Sequence, residues 1–500
     1  MARLNEIYGT SLGLLTDLYQ LTMAYGYWKL GRAEKRAAFN LFFRRNPFGG
    51  AFTVAAGLES AIEYLRGFRF EASDIEYLCG LTGNDGKPLF EQGFLDYLSE
   101  LKFTCDVDAV PEGTVMFPHE PLLRVGGPIL QAQLIETPLL NMINFQTLIA
   151  TKAARVSGAT QGEPVLEFGL RRAQGIDGAL AASRAAYVGG CAATSNVLAG
   201  KLFGIPVKGT HAHSWVMSFD DELEAFDAYA NVLPNNCVFL VDTFDTIEGV
   251  RKSVEVGKRL RAKGYEMVGI RLDSGDLAAL SIEARRILDD GGFTNAAIVA
   301  SNDLDEHAIT ELKENGATIA VWGVGTKLVT AHDQPALGGV YKLSAIEDDD
   351  GILNHKLKLS EQPIKVSTPG VLQVRRYHRN GTFVADMVHD ETLGVGDEPA
   401  IVDFTDARNR TAIADAAGHE DLLTPVFRDT ECVYESPSLG DIRKRAQSQI
   451  GMLDSGVKRL TNGTVYPTGL EENLHALKME LINKARNPLP LGEGGEERVG

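Results

Sequence analysis

Between residues 165 and 324 the chain repeats one pattern, and that pattern restricts its fold more than any other stretch does. Short apolar runs recur at 165–168, 186–188, 205–207, 238–241, 267–270, 297–300 and 319–322. Segments of helical period lie between most of them, at 246–263, 277–290 and 304–315. Continuous apolar strands alternating with helices describe a parallel sheet covered on both faces. Seven such units favour a closed or nearly closed α/β barrel, with a doubly wound open sheet as the alternative.

The residues just after each run carry the chemistry. They are Gly169 with Arg171-Arg172, Gly189-Gly190, His211 and His213, Asp242-Thr243, Arg271 with Asp273-Ser274-Gly275, Ser301-Asn302-Asp303, and Gly323-Val324-Gly325-Thr326. In a barrel every strand C-terminus opens on one face, so these groups converge. The loop Gly209-Thr210-His211-Ala212-His213-Ser214-Trp215 offers imidazoles as proton carriers, metal ligands or nucleophiles. Arg171 and Arg172 suit an anion, since guanidinium grips carboxylate or phosphate in a planar fork; rim salt bridges are the plainer use. Gly323-Val324-Gly325-Thr326, with Gly338-Gly339 downstream, supplies backbone N–H groups and a hydroxyl for a phosphate. Asp273 and Ser274 suit sugar hydroxyls or magnesium, or else serve as a helix N-cap. Asp242 is within reach of a histidine one strand earlier, to fix its tautomer. A zinc site of His211, His213, Asp242 and Asp273 would use the same side chains, but His-x-His with distant acids is common by chance.

Outside this region the pattern is plainer. Residues 10–30 read as a helix capped by Thr16 or Asp17, with Leu18, Leu21 and Tyr25 as its apolar stripe. Tyr19 lies off that stripe, and its spacing favours packing over a role as an aromatic platform. Strands are expected at 37–43 and 52–55, a helix at 58–66, and short strands at 105–113 and 121–125, forming a small mixed sheet. A long helix over about 133–156 bridges into the repeated region. Asp348-Asp349-Asp350-Gly351 reads as a hairpin tip, and strands at 374–377 and 383–388 are expected to rejoin the N-terminal sheet.

Composition sets limits on function. A chain of 500 residues should divide into two or three domains. The net charge of −18 argues against a nucleic-acid surface, although a local arginine cluster still binds anions. Five cysteines without a C-x-x-C pair fit free thiols and leave no cysteine-only zinc site. Neither a leader h-region nor a bilayer-length apolar stretch is present, so a cytoplasmic protein with no membrane partner is expected.

As an ordered set, several motifs resemble the nicotinate phosphoribosyltransferase family. They are Thr16-Asp17-Leu18-Tyr19, the segment 167–175 (EFGLRRAQG), Gly209-Thr210-His211-Ala212-His213-Ser214, Arg271-Leu272-Asp273-Ser274-Gly275-Asp276, Gly323-Val324-Gly325-Thr326 and the segment 336–343 (ALGGVYKL). The likeness runs from about residue 12 to about 485. It implies transfer of phosphoribose from phosphoribosyl pyrophosphate to nicotinate, coupled to ATP hydrolysis, with ATP and Mg2+ as cofactors. It also implies an irregular α/β barrel beside a sandwich domain, in a homodimer whose active sites lie at the subunit interface. The matching division is 1–135 for the sandwich, rejoined by about 355–430, then 136–354 for the barrel, 431–485 as a helical segment and 486–500 as a disordered tail.

The resemblance makes His213 the histidine that ATP phosphorylates and Asp242 the acid that orients it, because His211 fills the variable position of the motif. Arg171 is implied to hold the nicotinate carboxylate, and Tyr19 of the neighbouring subunit to stack on the pyridine ring. Arg271 and Asp273 are implied to contact the ribose-pyrophosphate, with Asp273 as the candidate magnesium ligand. Gly325, Thr326 and Gly339 fall to the 5′-phosphate. Phe168, Ser214, Ser274, Gly338 and Thr368 complete the expected substrate contacts. One departure stands out: after Ser367-Thr368-Pro369-Gly370 the family often carries lysines, and 371–376 (VLQVRR) keeps only arginine. Nicotinamide phosphoribosyltransferase shares the architecture but uses an acidic residue to accept amide protons. The stretch 192–196 (AATSN) has none, which favours the carboxylate substrate. A non-catalytic binding protein of the same fold is the alternative from another class.

Overall fold

The computed structural model describes residues 8–413 and 418–486. Of the tail expected at 486–500, Arg486 ends the helix Glu472–Arg486 and the remainder lies outside the described residues.

The repeated region forms a six-stranded sheet, all of whose pairs are parallel. Its strands are β1 (Val165–Glu167), β2 (Ala193–Thr194), β3 (Val238–Leu240), β4 (Gly269–Leu272), β5 (Ala297–Ala300) and β6 (Val321–Val324), in the order β2-β1-β6-β5-β4-β3. The longer helices within this region or flanking it include α1 (Glu136–Ala159), α2 (Gly175–Val188), α3 (Thr246–Ala262), α4 (Leu277–Asp290) and α5 (Glu306–Glu314). Three of them start on an aspartate whose carboxylate accepts from the first-turn amides: Asp245 for α3, Asp276 for α4 and Asp305 for α5. The cap of α4 is therefore Asp276, not Asp273 or Ser274, and those two are left for other contacts.

Two expected strands change character. The run 186–188 is the last turn of α2, and β2 takes its place in the sheet. An apolar stretch of three residues looks the same in a buried helix as in a buried strand. Gly189 serves this packing, because a Cβ there would strike the Ala150 carbonyl of α1. The run 205–207 contributes only a single parallel bridge, Val207 to Thr194.

The rest of the chain builds two further large sheets. The first is antiparallel, with the order Leu353–His355, Val340–Glu347, Arg36–Phe42, Pro121–Pro128, Asp106–Ala109, Thr424–Arg428 and Glu431–Cys432. The strands that rejoin the N-terminal sheet thus come from 340–355 and 424–432. Leu372–Arg379 and Thr382–Asp390, expected there, instead pair with each other in a separate six-stranded mixed sheet. Alternation marks a strand but does not name its partner. Arg376 is fully buried there against Asp386, and Arg375 forks onto Asp421 at 2.8 and 3.0 Å. Both arginines of 371–376 are therefore committed to ion pairs within the chain, Arg376 in the interior and Arg375 nearer the surface.

The long bridging helix is broken at Ile135, with Ile129–Leu134 before it and α1 after it. The N-terminal helix is Leu18–Lys29 with Asp17 at its cap position. Asp17 accepts from the Thr137 hydroxyl at 2.8 Å, and Leu18, expected in the stripe, is exposed while Leu21 is buried.

Candidate active site at the C-terminal ends of the parallel strands

Two adjoining cavities, of about 310 and 170 Å³, open at the C-terminal ends of the parallel strands. Phe168, Arg171, Arg271 and Asp273 line both. The larger is completed by Ser195 and the loop Gly209–His213, the smaller by Arg172, Ser301, Asp303, Gly325 and Thr326. Segments more than a hundred residues apart thus meet at one mouth, as the alternation of strands and helices requires.

The end of β1 is organised from below by Glu167. Its buried carboxylate accepts from the Gly169 amide, from Ser183 Oγ at 2.8 Å and from Thr194 Oγ1 at 2.6 Å. That pins the turn carrying Phe168 and Arg171. The Phe168 ring passes over β6 where Gly323 stands, and a Cβ at Gly323 would lie 2.7 Å from the ring. Glycine here serves close ring packing as well as the backbone cradle of Gly325 and Thr326.

The two arginines at the mouth have donors to spare. Arg271 gives Nη1 to Thr210 Oγ1 at 2.6 Å, while its buried Nε has no partner among the described residues. Burial lowers its pKa, Asp273 and Asp242 counter that, and Arg171 adds to it. Two like charges over one cavity with unsatisfied N–H groups are the arrangement that an anion completes.

The two histidines separate cleanly. His211 is buried, and its Nε2 accepts from the Leu240 amide at 3.3 Å while Nδ1 lies 3.4 Å from the Ala212 carbonyl. Burial pushes its pKa down to about 4, the Ala212 contact raises it in part, and Arg271 and His213 lower it further. Both nitrogens are occupied by backbone, so this ring closes the sheet edge beside β3. His213 is partly exposed: Nδ1 meets Thr243 Oγ1 at 3.1 Å, and Nε2 lies 3.7 Å from Asp273 Oδ2. The contact expected from Asp242 is made by Thr243. Asp242 sits one step behind, with Oδ2 accepting from the Asp273 amide at 2.8 Å and Ser274 Oγ at 2.6 Å; its buried Oδ1 has no partner among the described residues. Ser301 Oγ donates to Asp273 Oδ1. Among the described residues no group of three or more His, Cys, Asp or Glu is placed to hold a metal by itself.

Ser214 is exposed beside His213 and lines neither cavity. Tyr19, Gly338, Gly339 and Thr368 also lie outside both linings. Gly339 packs on α1, where a Cβ would strike Asn144, and Thr368 is buried. Tyr19 is half exposed and feels the charge of Glu136, which also attracts Lys342. Lys342 is lowered chiefly by burial, with Glu136 opposing and Arg44 and Lys358 assisting. This makes a second polar patch of Tyr19, Glu136, Lys342, Arg44 and Lys358. From the sequence Arg44 reads only as part of a basic turn, Lys342 only as part of the 336–343 motif, and Thr243 and Glu167 stand in their motifs with no role of their own. The adjacent arginines at 44 and 45, directly after an apolar strand, are the available signal.

The comparisons with known proteins agree along the whole chain. The profile of the nicotinate phosphoribosyltransferase N-terminal domain matches residues 14–144, that of the nicotinate phosphoribosyltransferase family residues 164–369, and that of the C-terminal domain residues 373–478. A nicotinate phosphoribosyltransferase of Bacillus subtilis is 46% identical over 487 residues, covering 95% of this chain and 96% of that one. A Caenorhabditis elegans protein of the same name is 38% identical, with 92% of each chain covered. The crystal structure of human nicotinic acid phosphoribosyltransferase superposes with a TM-score of 0.81 at 34% identity, over 93% of this chain and 99% of that one. The chain belongs to the nicotinate phosphoribosyltransferase family.

Proposed function

We propose that the protein transfers phosphoribose from phosphoribosyl pyrophosphate to nicotinate, giving nicotinate mononucleotide and pyrophosphate in NAD salvage. The observation that carries this reading is the pair Arg171 and Arg271, with unsatisfied donors, over a cavity walled by the Phe168 ring and continuous with the Gly325-Thr326 cradle. Arg171 takes the nicotinate carboxylate and Phe168 meets the ring. Asp273, the single carboxylate lining the larger cavity among the described residues, holds ribose hydroxyls. Gly325 and Thr326 hold the 5′-phosphate. The pyridine nitrogen attacks C1′ as pyrophosphate leaves, so charge grows on the leaving oxygens, and Arg271, which lines both cavities, is the cation taken to offset it.

Magnesium fits the donor set: Asp273 Oδ2 and the unpartnered Asp242 Oδ1 are one or two carboxylates that leave positions for substrate phosphates. When bound, the ion would offset pyrophosphate charge.

ATP coupling runs through His213. Thr243 holds Nδ1 and leaves Nε2 free to attack the γ-phosphorus, with ADP leaving. The new phosphoryl group would stand beside the Asp273 carboxylate and repel it, and it would attract Arg271. Substrate affinity therefore changes with the state of His213.

The separation of the Tyr19–Lys342 patch from the mouth supports a homodimer in which each subunit's patch completes its partner's site. The bridge from Val207 to Thr194 and the His211–Leu240 contact narrow the gap between β2 and β3, in keeping with an irregular barrel whose parallel strands lie within 165–324, beside a sandwich domain that takes 340–355 as well as the N-terminal strands. The segment 431–485, expected as a helical piece, carries the helix Leu439–Gly451 and most of Glu472–Arg486, but its strands Glu431–Cys432 and Thr468–Glu471 join the two other sheets.

The test is direct. Incubation with phosphoribosyl pyrophosphate and either nicotinate or nicotinamide, with and without ATP, should yield mononucleotide from nicotinate and more of it with ATP. Turnover of nicotinamide in preference overturns the substrate, and turnover of neither leaves a binding protein.

A further inference from the structure

A third cavity, of about 340 Å³, lies between the C-terminal half of α1, helix α5 and the end of α6 (Leu439–Gly451), and shares no lining residue with the mouth. Phe52, Ile450 and Leu460 give it an apolar wall, and Arg155, Lys458 and Arg459 make it basic; no carboxylate of the described residues lines it. Lys458 and Arg459 form no ion pair with any described residue, in a chain of net charge −18. Arg155 is only 2% exposed, with Nε on Glu306 at 2.8 Å and Nη2 on the Leu460 carbonyl at 3.0 Å. Its Nη1 has no hydrogen-bond partner among the described residues. Unpaired cations beside an apolar enclosure of small-ligand size mark a site for an anion with an apolar body.

We propose that this cavity binds a phosphorylated small molecule of mononucleotide size, its phosphate held by Lys458 and Arg459, and that occupancy is felt at the mouth. A continuous chain of bonds connects the two. Arg155 holds Glu306, which also pairs with Lys152 at 2.7 Å. The next residue back, Asp305, caps α5 with Oδ1 and takes Lys327 Nζ on Oδ2 at 2.7 Å. Lys327 directly follows Thr326 of the phosphate cradle. A ligand that draws on Arg155 therefore pulls on the start of α5 and, through Asp305, on the cradle.

The binding claim stands apart from the proposed function, and the coupling claim rests on it. Hydrogen exchange of the full chain with adenosine monophosphate should protect residues 450–462. That protection should persist in Arg171→Ala and weaken more than about tenfold in concentration dependence in K458A/R459A. Absent protection, or protection unchanged in K458A/R459A, overturns the site. Equal protection by inorganic phosphate overturns the apolar-body requirement, and equal protection by adenosine overturns the phosphate requirement. K458A/R459A changes exposed side chains and should keep the basal transfer rate. Adenosine monophosphate should shift the wild-type rate by about fivefold or more, and the shift should vanish in K458A/R459A. A wild-type rate unmoved while 450–462 is protected overturns the coupling.

Discussion

His213 and His211 stand two residues apart, and their surroundings divide the work between them. Thr243 fixes one nitrogen of His213 and leaves the other toward Asp273 and the mouth. His213→Ala should lose ATP stimulation of mononucleotide formation while retaining uncoupled transfer, since Arg171, Arg271 and the cradle are untouched. Measured rates with and without ATP decide it, and unchanged ATP dependence refutes the role. His211 makes a different prediction. Its pKa falls from 6.5 to about 4 on folding, so the native state disfavours the proton that the unfolded chain accepts. The stability it contributes is complete above pH 6.5 and drains away as pH falls toward 4, at no more than about 1.4 kcal/mol per pH unit. His119, also lowered to about 4 by burial, adds to the same slope. His211→Gln, which can accept from the Leu240 amide without taking a proton, should flatten the loss of thermal midpoint between pH 6.5 and 4.5. An identical slope in that variant would show that His211 does not titrate there.

At the level of elements, α1 is held to the parallel layer by charges that no spacing rule announces. Lys152 and Arg155 both pair with Glu306 of α5, and all three are buried. Removing the shared carboxylate leaves two buried cations with incomplete partners. Glu306→Ala should therefore cost about 3–5 kcal/mol, read as a lowered thermal midpoint. Apolar replacement of all three residues should recover much of that loss, and a Glu306→Ala variant as stable as wild type would mean that the pairs are relaxed by water. The same contrast explains what the sequence can reveal. Helices α3, α4 and α5 are legible nearly to their ends because amphipathic period is written locally, whereas the cap of α4 is Asp276 and not the Asp273 or Ser274 that the sequence suggests. Strands β3 to β6 are legible as apolar runs. The run 186–188 is not, since three apolar residues on a helix packed against α1 look like a strand. The partners of Leu372–Arg379 are not legible either, because pairing is decided by distant chain. At the site, Arg171, Arg271, Asp273, Gly325 and Thr326 can be read from their place after strands. Thr243 cannot displace Asp242 on paper, because which of two adjacent side chains reaches an imidazole depends on the turn of one strand end.

Across the whole molecule, the polar groups that could meet a substrate form two clusters. Arg171, His213 and Arg271 surround the mouth, whereas Tyr19, Arg44, Lys342 and Lys358 cluster on the N-terminal sheet and its helix, and none of them lines either mouth cavity. Exposed apolar side chains accompany both groups: Leu15, Leu18 and Met23 near Tyr19, and Leu170, Ile176 and Met217 near the mouth. Two exposed apolar margins, each beside half of a charged site, are what a two-fold pairing would cover, since an isologous contact brings patch and mouth together twice. Arg171→Ala and Tyr19→Ala chains should each be weak alone, because each spoils both sites of its own dimer. After mixing and reassociation, half of the dimers become hybrids, and each hybrid carries one site with both lesions and one with neither. About a quarter of wild-type activity should then return. Activity no higher than the mean of the two parents would mean that Tyr19 serves the mouth of its own chain, or no mouth at all, and the shared-site arrangement would fail.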